Sequence, residues 1–316
     1  MLARREELAH LFMTSHNTIY LHHKYNEEEE ALNLYTGRVI HKMATFMNFP
    51  TPREHVLAYG NTKIGVIPEI CLVSHFQVGP WEVLYRPAET GNVKRWGLPL
   101  MIPNFSRLKD GIFKEKGTTL PIHGFGRIMP WNVIEQSESS ISIQLTSNEA
   151  TRADYPYEFT FTAQIVAGEG SLTYTLTMEN RNDEVMPIAP GFHPYFTVEQ
   201  SLKSRIETNG PPGFAVSAFQ WDTQPPDNPY SFPHSVTIQI PEHGTLTIAE
   251  LPSNGHYALS TMQVWSEKVT VPDHAFVCFE PVVTSEDGLN RPADRLNIPP
   301  HSSQQIILQF IAQPIP

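Results

Sequence analysis

Cysteine is scarce in this sequence, which has only two among 316 residues. Both, Cys71 and Cys278, lie in apolar stretches, and that setting predicts buried, reduced thiols. No Cys/His set has the spacing of a zinc site, and no His-x-x-x-His pair falls on a helix. A glycine-rich phosphate loop after a strand and a Gly-x-Ser-x-Gly turn are missing too. We therefore expect neither a metal nor a cofactor, and the sequence does not support nucleophilic or nucleotide-dependent chemistry.

Positive charge is also in short supply: 22 lysines and arginines stand against 33 acidic residues, a formal net charge of −11. A surface of that sign repels phosphate backbones and anionic lipids, so we expect neither nucleic acid nor a membrane as a partner. No apolar run reaches membrane-spanning length, and no apolar signal-peptide core follows the charged N-terminus, which predicts a cytoplasmic protein. A small anionic substrate stays compatible, because a few convergent arginines can set the local field. The oligomeric state is left open.

Proline is abundant, with 28 residues, and it marks turns and strand ends because it fixes φ and donates no backbone hydrogen bond. Polar and apolar residues alternate at 140–145, 159–165, 171–178, 235–240, 245–248, 275–279 and 305–310. This is the period of a β-strand with one buried face. Residues 1–55 lack the pattern, and we expect them to form a partly helical extension. We predict an all-β chain in which residues 56–316 form one large antiparallel β-sandwich.

Four segments interrupt the alternation with polar residues, at 99–108, 120–131, 190–196 and 277–281. The last contains Glu280 at the end of an apolar strand, where an unpaired carboxylate would be costly to bury. A carboxylate at a strand end can equally point into solvent.

The other polar residues of these segments also have ordinary structural explanations. Single histidines such as His123 and His193 are more often hydrogen-bonded structural residues than functional ones. The arginines nearby could form ion pairs with acids such as Asp110 or Glu135.

In combination, however, these segments resemble the aldose 1-epimerase (galactose mutarotase-like) family, and within it the hexose-6-phosphate mutarotases. The resemblance runs from about residue 60 to the C-terminus. It rests on Glu-Val-Leu-Tyr-Arg-Pro at 82–87, Pro-Asn and Arg within 103–107, His-Gly-Phe-Gly-Arg at 123–127, Gly-Phe-His-Pro-Tyr-Phe at 191–196 and Phe-Glu-Pro at 279–281. Gly126 departs from the alanine more common in the family, and residues 1–55 have no counterpart. The resemblance implies a galactose mutarotase-like supersandwich.

The resemblance also implies an isomerase that interconverts the α and β anomers of a hexose, with a sugar or sugar phosphate as its small-molecule partner. Opening the pyranose ring removes a proton from the O1 hydroxyl and adds one to the ring oxygen O5, so a base and an acid are required. The family pattern makes Glu280 the general base on O1 and His193 the general acid on O5. For these roles we expect an ionised Glu280 and a protonated His193 in the free protein, because each charge favours the other.

Substrate contacts follow from the same resemblance. The expected binding residues are His123, Asn104, Arg107, Arg127 and Asp222. An arginine fork suits a phosphate group, so Arg107 and Arg127 are candidates for a 6-phosphate. Aromatic rings stack on sugar faces, and the candidates for that contact are Trp131, Tyr195 and Trp265.

Two other functions are compatible with such a chain. A non-catalytic carbohydrate-binding domain can share the same sandwich, because fold alone does not determine function. A glycoside hydrolase or lyase on a similar sandwich would need a second carboxylate across the bond, whereas only Glu280 lies in a convincing motif.

Overall fold

Two large antiparallel sheets contain most of the strands in the computed structural model, which describes residues 53–87, 95–210, 214 and 216–315. In this part of the chain the strands are β1 (His55–Tyr59), β2 (Thr62–Ile67), β3 (Leu72–Val78), β4 (Trp81–Glu82), β5 (Leu98–Met101), β6 (Ile112–Phe113), β7 (Thr118–Thr119), β8 (Asn132–Gln136), β9 (Ser140–Thr146), β10 (Phe159–Gly168), β11 (Ser171–Asn180), β12 (Met186–Ile188), β13 (Gly191–Phe192), β14 (Tyr195–Thr197), β15 (Glu207–Thr208), β16 (Asp227–Ser231), β17 (Ser235–Ile240), β18 (Gly244–Leu251), β19 (Thr261–Trp265), β20 (Phe276–Val282), β21 (Leu296–Ile298) and β22 (Ser303–Pro314). Helical structure in these same described residues is limited to a short α-helix, α1 (Glu149–Asp154), and to 3₁₀ turns at Pro68–Ile70, Lys109–Gly111, Gly126–Ile128, Gln200–Arg205, Val216–Ala218 and Gly288–Asn290.

The first sheet has the order β1-β2-β3-β5-β13-β20-β19-β16, with β4 added against β3 and β14 against β20. The second has the order β15-β17-β18-β22-β11-β10-β9-β8, and β6–β7 and β12–β21 form two small ribbons. Both sheets contribute to one hydrophobic cluster, in which Phe76 and Phe279 come from the first sheet and Phe161 and Leu176 from the second. The all-β sandwich predicted from the sequence is confirmed.

The alternating runs became strands where one face is buried. Along β11, from Ser171 to Asn180, buried residues alternate with partly exposed ones over the whole strand. A two-residue turn, Glu169-Gly170, joins it to β10, and Gly170 has a φ of +59°, a conformation that glycine adopts without steric cost. The alternation of buried and exposed residues and the glycine in the turn therefore both favour this hairpin.

The predicted N-terminal extension, residues 1–55, falls almost entirely outside the described residues, and the boundary to a domain of residues 56–316 stays a prediction. The first described strand, β1, begins at His55. Within the described ranges, no helix has the length and apolar character needed to cross a bilayer.

Strand β20 differs from its prediction, because Glu280 lies inside the strand and not at its end. All seven residues of β20 are buried, so the solvent-facing interpretation of Glu280 does not hold. The strand continues past Glu280 because it is paired on both sides of this residue. Cys278 pairs with Tyr195 of β14, and Val282 pairs with Gly191 of β13. Between these two pairings β13 and β14 are interrupted, and the interruption lies opposite Glu280.

Candidate active site

Glu280 and His193 meet at the interruption between β13 and β14. His193 follows the last residue of β13, and its Nδ1 lies 3.5 Å from Oε1 of Glu280. The two residues are 5% and 2% exposed, and Nδ1 is buried without a hydrogen-bond partner among the described residues. Buried polar groups are costly unless they are satisfied, so a pair of titratable groups left in this state marks a candidate functional site.

Two aromatic rings hold the His193 imidazole. Tyr195 stacks on it with ring centroids 4.5 Å apart, and its hydroxyl lies 3.4 Å from Nε2. Trp265 approaches the same imidazole edge-on at 5.9 Å. Trp131, also a candidate for sugar stacking, is buried in the hydrophobic cluster and donates its Nε1–H to the Gly126 carbonyl. Trp131 is 3% exposed within the core, which favours core packing over sugar stacking for this residue.

His123 reaches the site on a turn that wraps around Ile102. Phe125 and Gly126 both donate backbone N–H groups to the Ile102 carbonyl. His123 accepts the backbone N–H of Ser106 at Nδ1, over 3.2 Å. A neutral ring must then carry its proton on Nε2, which makes His123 a hydrogen-bond donor. Its ring centroid lies 5.3 Å from that of His193.

Gly124 and Gly126 make this turn possible. Gly124 has a φ of +68°, and a β-carbon there would overlap the Ile102 carbonyl. At Gly126 a β-carbon would overlap the Cγ2 methyl of Ile102. The departure from alanine noted in the sequence therefore has a packing reason, since the branched side chain of Ile102 occupies the space that an alanine methyl would take.

Asn104 is buried near the turn of His123. Its Nδ2 donates to the Ser106 carbonyl over 2.9 Å. Its Oδ1 is buried and has no hydrogen-bond partner within the described part of the chain. An orphaned amide oxygen beside the histidines can accept a hydrogen bond from a hydroxyl of a ligand.

The three arginines nearest to the site differ in position. Arg127 is close enough for its charge to act on His123, His193 and Glu280, and it forms no ion pair with Asp110 or Glu135. Arg107 is exposed, although its charge still reaches His123.

Arg95 was missed by sequence reasoning, and its charge acts on His193. It pairs with Glu267 at 2.6 Å and lies over the ring of Trp265 at 5.6 Å. The available signal was its position just before the first polar segment, residues 99–108.

Asp222 is not brought to this cluster. It is exposed, and its Oδ1 accepts a hydrogen bond from Gln200 over 2.7 Å. The acid whose charge reaches Glu280 is Asp227. Asp227 also accepts a hydrogen bond of 2.6 Å from Gln263, the residue paired with Glu280 across β19 and β20. Asp222 as a substrate contact stays a prediction, and no motif distinguishes it from the equally exposed Asp227 before strand pairing is known.

The protonation of the central pair differs from the expected ion pair. Burial, followed by the charge of Arg127, lowers the pKa of His193 to about 3. Burial raises the pKa of Glu280 well above its ordinary value, Asp227 adds to that effect, and Arg127 opposes it. The free protein therefore favours a protonated Glu280 and a neutral His193, because desolvating two charges costs more than their mutual attraction returns.

The expected ion pair, with an ionised Glu280 and a protonated His193, and the neutral pair, with a protonated Glu280 and a neutral His193, contain the same number of protons. They differ by one transfer between Glu280 and His193, whose nearest atoms are 3.5 Å apart. Burial and the charges of His193, Arg127 and Arg107 also lower the pKa of His123, which keeps that ring neutral and in its donor form. The cluster thus combines a proton-sharing acid and base with a neutral hydrogen-bond donor.

Part of the chain is similar to a known protein family. Residues 108–256 match the model of the aldose 1-epimerase family. Two curated relatives, from Salmonella typhimurium and Escherichia coli, are provisionally named glucose-6-phosphate 1-epimerase. The chain is 33% and 28% identical to them over 147 residues, which is 44% of this chain and 46% of each relative. It thus spans about half the length of the curated relatives it matches.

Solved structures resemble the chain over a longer range. A protein from Synechocystis has a TM-score of 0.72 at 21% identity, covering 83% of this chain and 96% of that one. A provisionally named aldose 1-epimerase from Escherichia coli has a TM-score of 0.69 at 16% identity, covering 83% and 99%. A galactose mutarotase-related enzyme from Lactobacillus acidophilus has a TM-score of 0.68 at 18% identity, covering 83% and 97%. At these identities the likeness shows a common fold, which is galactose mutarotase-like, and the match to the aldose 1-epimerase family model extends over just under half of the chain.

Proposed function

We propose that this protein is an aldose 1-epimerase that interconverts the α and β anomers of a hexose and prefers a hexose 6-phosphate. The observation that carries the proposal is the buried pair of His193 and Glu280, 3.5 Å apart. Sugar ring opening needs a base and an acid that act together on O1 and O5. A pair that shares one proton can supply both.

The proposed reaction begins with that proton on His193. Glu280 as a carboxylate takes the proton of the O1 hydroxyl, while the His193 imidazolium gives its proton to O5 and the C1–O5 bond breaks. Rotation about C1–C2 presents the other face of the aldehyde, and the reverse transfers close the ring as the opposite anomer. Each positioned proton transfer contributes ~10²–10⁴-fold.

The neighbours of the pair have supporting roles in this proposal. His123, neutral with its proton on Nε2, donates a hydrogen bond to a sugar oxygen and stabilises the charge that develops there. Asn104 offers its orphaned Oδ1 to a sugar hydroxyl. Trp265 gives an aromatic face next to His193 for the apolar side of the sugar ring.

The preference for a 6-phosphate rests on the arginines. The charge of Arg127 reaches His193, and guanidinium groups bind phosphate with two parallel hydrogen bonds. The charge of Arg95 reaches His193 too, but this arginine is already paired with Glu267. Both curated relatives carry a provisional name as glucose-6-phosphate 1-epimerases. Since sugar phosphates occur inside cells, the proposal implies a cytoplasmic enzyme.

Exchange NMR of anomer interconversion tests the function directly. The NMR signals of the α and β anomers are followed for glucose and for glucose 6-phosphate, with and without the protein. We expect the protein to accelerate anomer exchange more on the phosphosugar. The absence of protein-dependent exchange on any hexose or hexose phosphate would disprove the epimerase and leave a carbohydrate-binding domain.

Arg127→Ala tests the substrate class. Charge-assisted hydrogen bonds are worth about 1.5–3 kcal/mol each, so kcat/KM on glucose 6-phosphate should fall by about 10–100-fold more than on glucose. Arg152→Ala, which removes an exposed arginine paired with Glu158, is the control and should change neither rate. Equal losses on both sugars would assign Arg127 to the reacting groups and not to the phosphate.

The glycoside hydrolase alternative gains one observation, the charge of Asp227 close to Glu280. Two carboxylates across a glycosidic bond are the usual machinery of such enzymes. Asp227 is, however, held by the Gln263 amide over 2.6 Å. Incubation with oligosaccharides separates the functions, because new reducing ends would form only with a hydrolase.

A further inference from the structure

Three potential metal ligands share one small volume at the centre of the site. Cys278 and Glu280 are two residues apart on β20, so their side chains leave the strand on the same face. His193 approaches this face from the interruption between β13 and β14. One ligand atom from each of these residues lies within 4.8 Å of the others, and all three are buried.

The distances suit a tetrahedral cation. Zinc binds cysteine sulfur at about 2.3 Å, histidine nitrogen at about 2.0–2.1 Å and carboxylate oxygen at about 2.0–2.2 Å, so neighbouring ligand atoms are about 3.6 Å apart. His193 Nδ1 and Glu280 Oε1 are 3.5 Å apart. One ligand atom from each of the three residues lies within 4.8 Å of the others, so a bound cation requires them to approach one another by up to about 1.2 Å.

The remaining polar atom of the histidine has a partner that suits metal binding. A metal-bound histidine donates its second ring N–H to a neighbouring oxygen, which fixes the ring and its tautomer. The Tyr195 hydroxyl lies 3.4 Å from Nε2 of His193. Nδ1, on the opposite side of the ring, is buried and makes no hydrogen bond within the described residues. This atom is therefore free to coordinate a cation.

The charges around the ligands permit a cation although arginines are present. Arg95 is compensated by Glu267 at 2.6 Å, and the charge of Asp227 acts on Glu280. Arg127 remains close to Glu280. Lys203 also acts on Cys278. It lies near Asp222 and Glu267, which limit its repulsion of a bound ion.

We propose that His193, Cys278 and Glu280 form a binding site for a thiophilic divalent cation such as Zn²⁺, and that the bound cation inhibits the enzyme. Coordination breaks the S–H bond of Cys278 and the O–H bond of the protonated Glu280, forms metal–sulfur and metal–oxygen bonds beside the bond to the neutral His193 nitrogen, and releases both protons to water. The inhibition rests on the proposed epimerase function, because the cation then occupies both the base and the acid of the reaction. Sequence spacing could not reveal this site, since His193 lies far from Cys278 and Glu280 along the chain.

Cobalt is the probe for binding, because Co²⁺ bound to a thiolate gives a ligand-to-metal charge-transfer absorption that does not depend on enzyme activity. We expect this band on titrating the full-length protein with Co²⁺ and its loss in Cys278→Ala and Cys278→Ser. The matched control is Cys71→Ala, which removes the other buried cysteine, located against Tyr174, and should keep the band. No band in the unaltered protein, or a band in a folded Cys278 variant, would overturn the proposed site.

Zinc inhibition is the second measurement. Anomer exchange should fall as Zn²⁺ is added and recover with a chelator, and Cys278→Ser should need at least about 10–100-fold more Zn²⁺ for the same inhibition. Equal inhibition of Cys278→Ser and the unaltered protein would overturn the inhibitory role. If the cobalt band is present but no sugar exchanges under any condition, the metal site stands and the proposed epimerase function fails.

Discussion

At the scale of single residues, the burial of Glu280 separates it from an ordinary strand carboxylate. Another strand glutamate, Glu250 of β18, is similarly buried, but it accepts backbone N–H groups from Ala258 and Leu259 and contacts His234. Its carboxylate is satisfied by the loop that it holds. For Glu280 the structure shows instead a distance of 3.5 Å between its Oε1 and Nδ1 of His193, a buried atom that has no hydrogen-bond partner among the described residues.

Glu280→Gln should therefore abolish most of the anomer exchange while the fold survives. The amide keeps the shape of the side chain but cannot take a proton, so we expect a fall of at least ~10²-fold, and His193→Asn should give a similar fall. The double variant should lose less than the product of the two losses, since the residues act as a unit. Exchange NMR gives the rates, and thermal unfolding checks the fold.

Glu250→Gln is the control for this comparison, because it makes the same change at a buried strand carboxylate outside the site. It should keep the exchange rate. Near-normal exchange by folded Glu280→Gln would show that another group is the base.

Short sequence motifs pointed to residues that the structure places close together, while the roles of these residues stay predictions. His123, His193 and Glu280 each lie in a recognisable segment, and the structure brings them together. The sequence motifs did not point to Arg95 and Asp227, because single charged residues near turns are common. Asp227 reaches the site through the pairing of β16 with β19, which no local pattern encodes. The preferred protonation of the pair also depends on burial in three dimensions.

At the scale of elements, the turn of residues 123–126 connects backbone conformation to the position of His123. His123 and Gly124 both have positive φ, at +63° and +68°. A non-glycine residue in this conformation carries strain that the surroundings must offset. Two backbone bonds to the Ile102 carbonyl hold the turn, and they leave no room for a side chain at Gly124.

Gly124→Ala should destabilise the protein and displace His123. The methyl group would meet the backbone carbonyl of Ile102, which cannot rotate away as a flexible side chain could. We expect a loss of more than about 1 kcal/mol in the free energy of unfolding, measured with urea, because strain adds to the clash. Anomer exchange should fall as well.

Gly111→Ala isolates the contribution of φ alone. Gly111 has nearly the same φ, +69°, but open space around its α-carbon, so the change should cost about 1 kcal/mol or less and leave exchange unchanged. Equal losses for the two variants would mean that contact with Ile102 does not matter.

Strand prediction worked along the whole length of an element with one exposed face, whereas for β20, which is covered on both faces, the predicted segment 275–279 ends three residues before the strand does. β11 is partly exposed on one face and alternates along its whole length. β20 is buried throughout, because residues such as Tyr195 and Trp265 cover the face that carries Cys278 and Glu280. When both faces of a strand are covered, polar and apolar residues no longer need to alternate. The C-terminal end of β20 therefore could not be placed from the sequence.

At the scale of the whole molecule, the order of the strands creates the site. β5, β13, β20, β19 and β16 are neighbours in one sheet, although they span residues from Leu98 to Val282. This order brings together groups that are far apart in the chain. The composition and periodicity predicted two packed sheets correctly, but the non-local pairing that places Asp227 beside Gln263 and near Glu280 is a property of the assembled sandwich.

The fold also encloses a positive charge, and this should appear in the pH dependence of global stability. Lys203 is fully buried, and its Nζ donates to Ser266 Oγ and to the His274 carbonyl over 2.8 and 2.7 Å. Burial lowers the pKa of Lys203 from 10.5 to about 8. Below pH 8 both the folded and the unfolded chain hold this proton, so Lys203 does not make the free energy of unfolding change with pH there.

Between about pH 8 and 10.5 the folded protein has lost the Lys203 proton while the unfolded chain still holds it. The unfolded state then binds more protons, so the contribution of Lys203 to the free energy of unfolding rises with pH, by about 3 kcal/mol over the window. Lys203→Met has no proton to lose, and subtracting its stability from that of the unaltered protein cancels the other titrating groups. Urea unfolding at pH 7.5, 9 and 10.5 should show this difference growing in favour of lysine, whereas Lys63→Met, at an exposed position on β2, should show no such growth. A difference that stays constant across the three pH values would mean that Lys203 keeps its charge inside the fold.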